Sequence, residues 1–227
     1  MTKEVNTILR KGGGRDIYTA FHNVASTKQQ RIINAAFQEF AASGYDKAST
    51  NAIVQEAAIS KGSLFNYFYN KKDLYVYLID YSVQVIEQLY NQIDFQETDL
   101  FKRITNVGFQ KLHIQQAHPQ VFDFLAAAIQ EEATAVQPVI TQKVTPIYEE
   151  GLEKLYQNID YTKFRDDIDV EKAMEILTWT MFGFGEKGLK ELQAFKDLEK
   201  FGEYYLREWE QYAAILKQSF YKERYLL

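Results

Sequence analysis

From Thr27 onward the apolar positions repeat with the period of a helix. Ile33, Ala36, Phe37, Phe40 and Ala41 fall at i, i+3, i+4, i+7 and i+8, which puts them on one face. Thr27 and Gln30 ahead of them have the spacing of a capping box. Gly44 behind them offers a left-handed stop. A second, short helix is predicted from a cap at Ser49 or Thr50 to about Ala57. Ala58–Ser60 then form a tight turn, and Ser60 caps a third helix from Lys61 to about Tyr67. Two short helices across so short a turn read as a helix-turn-helix. On the third helix Leu64 and Phe68 share the inward face at i, i+4. Ser60, Ser63 and Tyr67 stack on another face, with Gly62 and Asn66 beside them. That outward stripe is small and hydrogen-bonding, as a helix entering a DNA major groove requires. Lys61 and Lys71 bracket it with charge for phosphates. A solvated helix face uses the same residue types. The helix ahead of the stripe and the lysines at its ends favour the DNA reading.

Beyond Asn70 the pattern predicts six more helices. Lys71 to about Ile93 carries Leu74, Leu78, Tyr81, Val85 and Leu89 at helical intervals and would connect the first three helices to the body. Asp99 to about Ala117 follows, then a helix opened by Pro119 and running to about Ala133. Pro138 and Pro146 disturb the next stretch, which ends near Gln157. Asp169 can cap a helix to about Leu189, and the last runs from Leu198 through Tyr225. No alternating strand run bounded by turn signals occurs, so the fold class is all-α. Residues 1–26, which include "KGGGR" at Lys11–Arg15, read as a flexible N-terminal extension. The three-helix DNA-binding domain spans 27–72, and a larger helical body spans 73–227.

Charge sharpens the division. The chain nets −5, yet residues 1–75 hold ten cations against six anions, which leaves +4 there and −9 in the rest. A basic end on an acidic body suits contact with a polyanion. There is no cysteine, which excludes disulfides and thiolate metal sites and fits a reducing compartment. No apolar run approaches the ~18 residues of a membrane helix, and the first residues lack the apolar core of a signal peptide. A cytoplasmic protein with no membrane partner is expected. Enzyme machinery is missing from the pattern. Glu131 and Glu132 are helix neighbours whose side chains diverge. Gly12–Gly14 lacks the Lys-Ser/Thr of a phosphate loop. His113 and His118, five apart, do not share one helical face for a metal. No catalysis, cofactor or metal is expected. A helical protein–protein adaptor would account for the helices but not for the stripe from Ser60 to Phe68.

The run from Arg31 to Ile79, "RIINAAFQEFAASGYDKASTNAIVQEAAISKGSLFNYFYNKKDLYVYLI", resembles the DNA-binding domain of the tetracycline-repressor (TetR) family. Ala35-Ala36, Phe40, Gly44-Tyr45, Ser49-Thr50, Ile53, Ala57, Ser60-Lys61-Gly62, Leu64, Tyr67-Phe68, Lys71 and Leu74 occupy the family's positions. The resemblance covers about a fifth of the chain. It implies that Ser49, Thr50 and Asn51 contact phosphates or flank bases. Lys61, Gly62, Ser63 and Asn66, with Ser60 at the helix start, would face base edges. Tyr67 and Lys71 would grip the backbone. Three positions depart from the pattern. Ala58 replaces the usual turn glycine and costs on the order of 1 kcal/mol if φ is positive there. Phe65 replaces a tyrosine and has no hydroxyl for phosphate. Val54 replaces a common alanine.

The resemblance also implies a homodimer that binds an operator duplex, with the last two helices of each copy forming a four-helix bundle. Gly183, Gly185 and Gly188 would let these helices approach closely. Phe201, Tyr204, Tyr205, Trp209, Tyr212, Phe220 and Tyr221 are not expected all to face one intramolecular core, and an aromatic-rich subunit interface would take up the excess. The body is expected to hold a site for a small hydrophobic effector that releases DNA. Tyr81, Phe109, His113, Phe122, Phe124, Tyr148, Trp179 and Phe182 are its candidates, although plain packing is the more common role for each. Glu131 or Glu132 would admit a cationic effector.

Overall fold

The structure, a computed structural model, describes residues 18–192 and 198–226. Eleven α-helices are named: α1 Thr19–His22, α2 Ser26–Lys47, α3 Thr50–Glu56, α4 Lys61–Tyr67, α5 Lys71–Asn91, α6 Leu100–Ala117, α7 Pro119–Ile129, α8 Gln137–Val139, α9 Thr145–Tyr156, α10 Val170–Leu192 and α11 Leu198–Phe220. No β-strand forms among the described residues, where the sole extended pairing is an isolated bridge between Phe164 and Tyr221. The all-α expectation holds. The described residues fall into two compact units. The first runs through Asn91 and takes in Ala117–Gly151; the second comprises Gln92–Gln116 and the residues from Leu152. In packing, then, the helix-turn-helix shares a unit with α5 and α7, beyond the predicted change of role at residue 72.

In the first unit α2 packs on α3, α5 and α7. Its predicted apolar face is the buried one: Ile33, Ala36, Phe37 and Phe40 are all essentially inaccessible. Aromatic rings then link the helices edge to face. Phe37 meets Tyr81 at 5.8 Å and Phe124 at 5.1 Å, and Phe40 meets Tyr75 at 5.0 Å. The expected capping box is not formed. α2 begins at Ser26 behind Ala25, with no side-chain cap, while Gln29 turns its amide to the carbonyls of His22 and Val24. Regular structure also starts earlier than predicted. Phe21 of α1 is fully buried against Phe68 and Tyr77. The predicted extension over 1–26 therefore ends before residue 18, and Lys11–Arg15 lie outside the described residues. Gly44 has φ 68, ψ 175, which breaks α2 and leaves one more turn before α3. Asn70 caps α5 reciprocally with Asp73, and Pro119 opens α7. The irregular path predicted around the two prolines is a π-helical turn, Ile140–Val144, between α8 and α9.

The second unit is organised around Arg103, which is fully buried on α6. Its guanidinium donates to the carbonyls of Phe95 at 2.9 Å, Glu97 at 2.8 Å, Lys154 and Leu155 at 3.1 Å, and Gln157 at 2.5 Å. The last three are carbonyls at the C-terminal end of α9, which has no further turn to pair them. Asp99 caps α6 through the Phe101 and Lys102 amides and pairs with Lys163 at 2.9 Å. Asp169 caps α10 as predicted, accepting from the Lys172 amide. Of the last helix's aromatics, Phe201, Trp209 and Phe220 are buried within this unit, as is Tyr221 just beyond it. Tyr204 and Tyr205 are half-buried and Tyr212 is exposed, so this core takes up four of the seven. Gly188 serves α10–α11 packing, since a Cβ there would lie 2.2 Å from the Tyr205 ring. Gly183 and Gly185 have open space instead.

Candidate nucleic-acid interface

The α3–α4 turn closes as a Schellman motif. The Ala58 amide donates to Gln55 O at 3.2 Å and the Ile59 amide to Val54 O at 3.0 Å, with Ala58 at φ 52. The position does require positive φ. Alanine there holds the glycine geometry under strain. Ser49 caps α3 through the Ala52 amide, and Ser60 caps α4 through the Ser63 amide at 3.0 Å. Ser60 and Ser63 hydroxyls also meet at 2.9 Å, so both are partly committed to the helix itself. Leu64 and Phe68 are fully buried, which fixes the rotation of α4. Lys61, Gly62 and Asn66 consequently face outward, with Ser63 and Tyr67 half-buried at the margin. Thr50 is half-exposed and Asn51 exposed at the start of α3. A Cβ on Gly62 would touch only the Ser60 hydroxyl, at 3.9 Å. Nothing within the chain demands glycine there.

Two residues differ from their expected employment. Lys71 was predicted at the DNA backbone. Its ammonium instead donates to the carbonyls of Tyr45 at 2.7 Å, Asp46 at 3.1 Å and Ala48 at 3.2 Å, and lies over the Tyr45 ring. An ammonium has three N–H bonds, so all its donors are taken by the α2–α3 joint. Glu131 was considered for a cationic effector. Its carboxylate accepts from the Tyr45 amide at 2.5 Å and the Ala133 amide at 2.9 Å. Sequence reasoning also missed Lys28 and Tyr69. Lys28 donates to the Tyr67 hydroxyl at 3.2 Å and lies 5.6 Å from its ring. Tyr69, two residues past the end of α4, is 80% exposed. Lys28 sits 39 residues from Tyr67, and no spacing rule links them.

The effector candidates are divided between the units. Tyr81, Phe122, Phe124 and Tyr148 belong to the first; Phe109, His113, Trp179 and Phe182 belong to the second. Tyr81 and Phe124 are core residues. The Tyr81 hydroxyl meets His118 Nδ1 at 3.0 Å, and burial pushes the phenol up to about 12 and the imidazole down. Phe122 is half-buried, Tyr148 partly exposed and His113 exposed. Phe109 lines one open depression with Phe101, Thr105 and Leu206. Trp179 lines another, of about 620 Å³, with Tyr156, Tyr161 and Met174. Trp179 and Phe182 are each 67% exposed. Neither unit brings the eight together around one enclosed space.

An all-α chain whose N-terminal helix-turn-helix turns a small, polar, lysine-flanked face outward has the build of a DNA-binding regulator. Residues 32–78 match the family model of bacterial regulatory proteins, tetR family. That match covers the helix-turn-helix region, and the chain has the fold of a TetR family regulator. Among similar solved structures, a TetR family transcriptional regulator from Chloroflexus aurantiacus J-10-FL is 24% identical. The match covers 89% of this chain and 97% of that one, with a TM-score of 0.63. A TetR-family member from Streptomyces coelicolor A3 is 15% identical over 77% of this chain and 89% of its own, at a TM-score of 0.52. The fatty acid degradation regulator FadR from Bacillus halodurans is 20% identical over 82% and 95%, at 0.50. No described helix is long and apolar enough to cross a membrane.

Proposed function

We propose that this protein is a homodimeric repressor that reads a palindromic operator with α4 and leaves it when a small hydrophobic molecule binds the body. The observation that carries the DNA reading is the outward stripe of α4. Leu64 and Phe68 lock the helix rotation, Lys61 and Asn66 are presented to solvent, and Gly62 is small where no internal contact requires it. Ser49, Thr50, Asn51, Ser60, Ser63 and Tyr67 complete the proposed contact surface, and Lys28 adds a cation beside Tyr67. Lys71 supports that surface from behind, by holding the α2–α3 joint.

Dimerisation is supported by the apolar side chains left exposed on α10 and α11. Ile176, Trp179 and Phe182 are exposed on the former, Tyr212 and Ile215 on the latter. A second copy would cover both helices with the same patches, and two-fold symmetry then requires a palindromic site. The two α4 helices must stand about 34–36 Å apart, one duplex turn, to enter successive major grooves. An effector weakens binding only by its preference for a different arrangement, typically ~1–3 kcal/mol. Fatty acids come first among effectors to test, because one of the similar structures is a fatty acid degradation regulator.

The test is selection from random duplexes by the purified full chain, followed by fluorescence anisotropy on the winners. An inverted repeat with nanomolar to tens-of-nanomolar affinity is expected. Failure to enrich any duplex over a shuffled control would reject the reading. Thermal-shift screening with fatty acids and other apolar molecules then tests the effector, since a ligand of the native state raises its melting temperature.

A further inference from the structure

We propose that Glu131, far outside the helix-turn-helix in sequence, is the positioning residue that sets the DNA-reading helices in place. This rests on the DNA-reading proposal above. The segment from Gly44 to Ser49 is a joint, because Gly44 leaves helical geometry and α3 does not start until Thr50. Its backbone groups cannot complete a regular ladder and must find partners elsewhere. Glu39 accepts the Ser49 amide at 2.8 Å, and Lys71 occupies three carbonyls from Tyr45 to Ala48. Both come from the helix-turn-helix segment or its edge. The Tyr45 amide goes to Glu131 Oε2, 86 residues away, at 2.5 Å. A carboxylate that accepts a main-chain N–H makes a short, strong, directional bond.

Glu131 is itself held on the other side. Its Oε1 accepts the Ala133 amide, and its carbonyl accepts from the Gln137 side chain. The carboxylate thus joins the segment that follows α7 to the residue that starts the joint. Gly44 makes room for it: a Cβ there would lie 3.1 Å from Glu131 Oε2, at a φ already hostile to other residues. α7 also packs along α2. A displacement at the end of α7 is therefore delivered to the joint, and through it to Ser49, Thr50 and Asn51, by one side chain.

The test uses the full chain with Glu131→Ala, Glu131→Gln and, as a control, Glu132→Ala at the exposed neighbour. Amide exchange at Tyr45 is read by NMR without DNA, and affinity is read on the duplex selected by the wild type. Glu131→Ala should speed Tyr45 exchange and weaken DNA binding, each by roughly tenfold or more, the order expected for one charge-assisted hydrogen bond. Glu131→Gln keeps one carbonyl acceptor and should restore most of both, while Glu132→Ala should change neither. A purely stabilising role would lower the melting temperature and leave the folded protein's DNA affinity unchanged, which would overturn the proposal. So would wild-type exchange at Tyr45 in Glu131→Ala. If the wild type itself selects no duplex, the DNA reading falls separately, and Tyr45 exchange still decides whether this carboxylate holds the joint.

Discussion

Replacing Ala58 with glycine should make the first unit more stable. Ala58 sits at φ 52, where an L side chain brings its Cβ against the following carbonyl at a cost of roughly 1–2 kcal/mol. The residue is exposed, so removing its methyl sacrifices little burial. Glycine is more flexible in the unfolded chain, which offsets roughly 0.5–1 kcal/mol of the relief. The balance is a gain of roughly 0.5–1 kcal/mol, or about 1–4 °C in Tm for a chain of this size. Both turn hydrogen bonds, from Ala58 to Gln55 and from Ile59 to Val54, survive the change. DNA affinity should therefore stay within about twofold, less than half of the 1.4 kcal/mol that makes a tenfold change. Calorimetry with parallel urea unfolding measures the gain. Asn158→Gly is an internal control: its φ is 58, but asparagine tolerates the left-handed region, so its gain should be smaller. A neutral or destabilising Ala58→Gly, or an equal gain at Asn158, would refute the claim that strain resides in the turn alanine.

Four further outcomes are expected. Arg103→Met should destabilise the second unit by roughly 3–5 kcal/mol, because the carbonyls of Phe95, Glu97, Lys154, Leu155 and Gln157 lose the donor that the fully buried Arg103 supplies; urea unfolding measures it, and Arg103→Lys should recover only part. Tyr212→Glu should convert dimers to helical monomers in sedimentation, whereas Trp209→Glu should unfold the second unit, since Trp209 is buried and bonded to Thr105. Lys61→Ala should lower the salt dependence of DNA binding by roughly one unit per lysine lost from a phosphate, with melting unchanged. Lys71→Ala should instead cost roughly 1–3 kcal/mol of stability by stranding the joint's carbonyls.

What could be read in advance was what neighbours along the chain decide. The faces of α2 and α4 follow from residues three and four apart, so Phe37, Phe40, Leu64 and Phe68 were placed inward correctly. The strain at Ala58 was legible only as a condition, through the resemblance that places a glycine in that turn, and φ 52 meets the condition. Phe21 was not, since a four-residue helix is too short to show a period. The final aromatics were legible only as a set: spacing does not say that Trp209 and Phe220 turn into the unit while Tyr212 stays exposed. The effector candidates show a related limit, because aromatic content does not say which rings meet; Phe124 joins Phe37 and Tyr75 in a core, while Trp179 stands in the open. Lys71 and Glu131 mark the deepest limit. Their partners are backbone groups, which every residue possesses, so no residue type signals the pairing. A lysine just past a recognition helix can satisfy a phosphate or a carbonyl with the same three N–H bonds. The break at Gly44 decides between them, by leaving carbonyls that α2 cannot use.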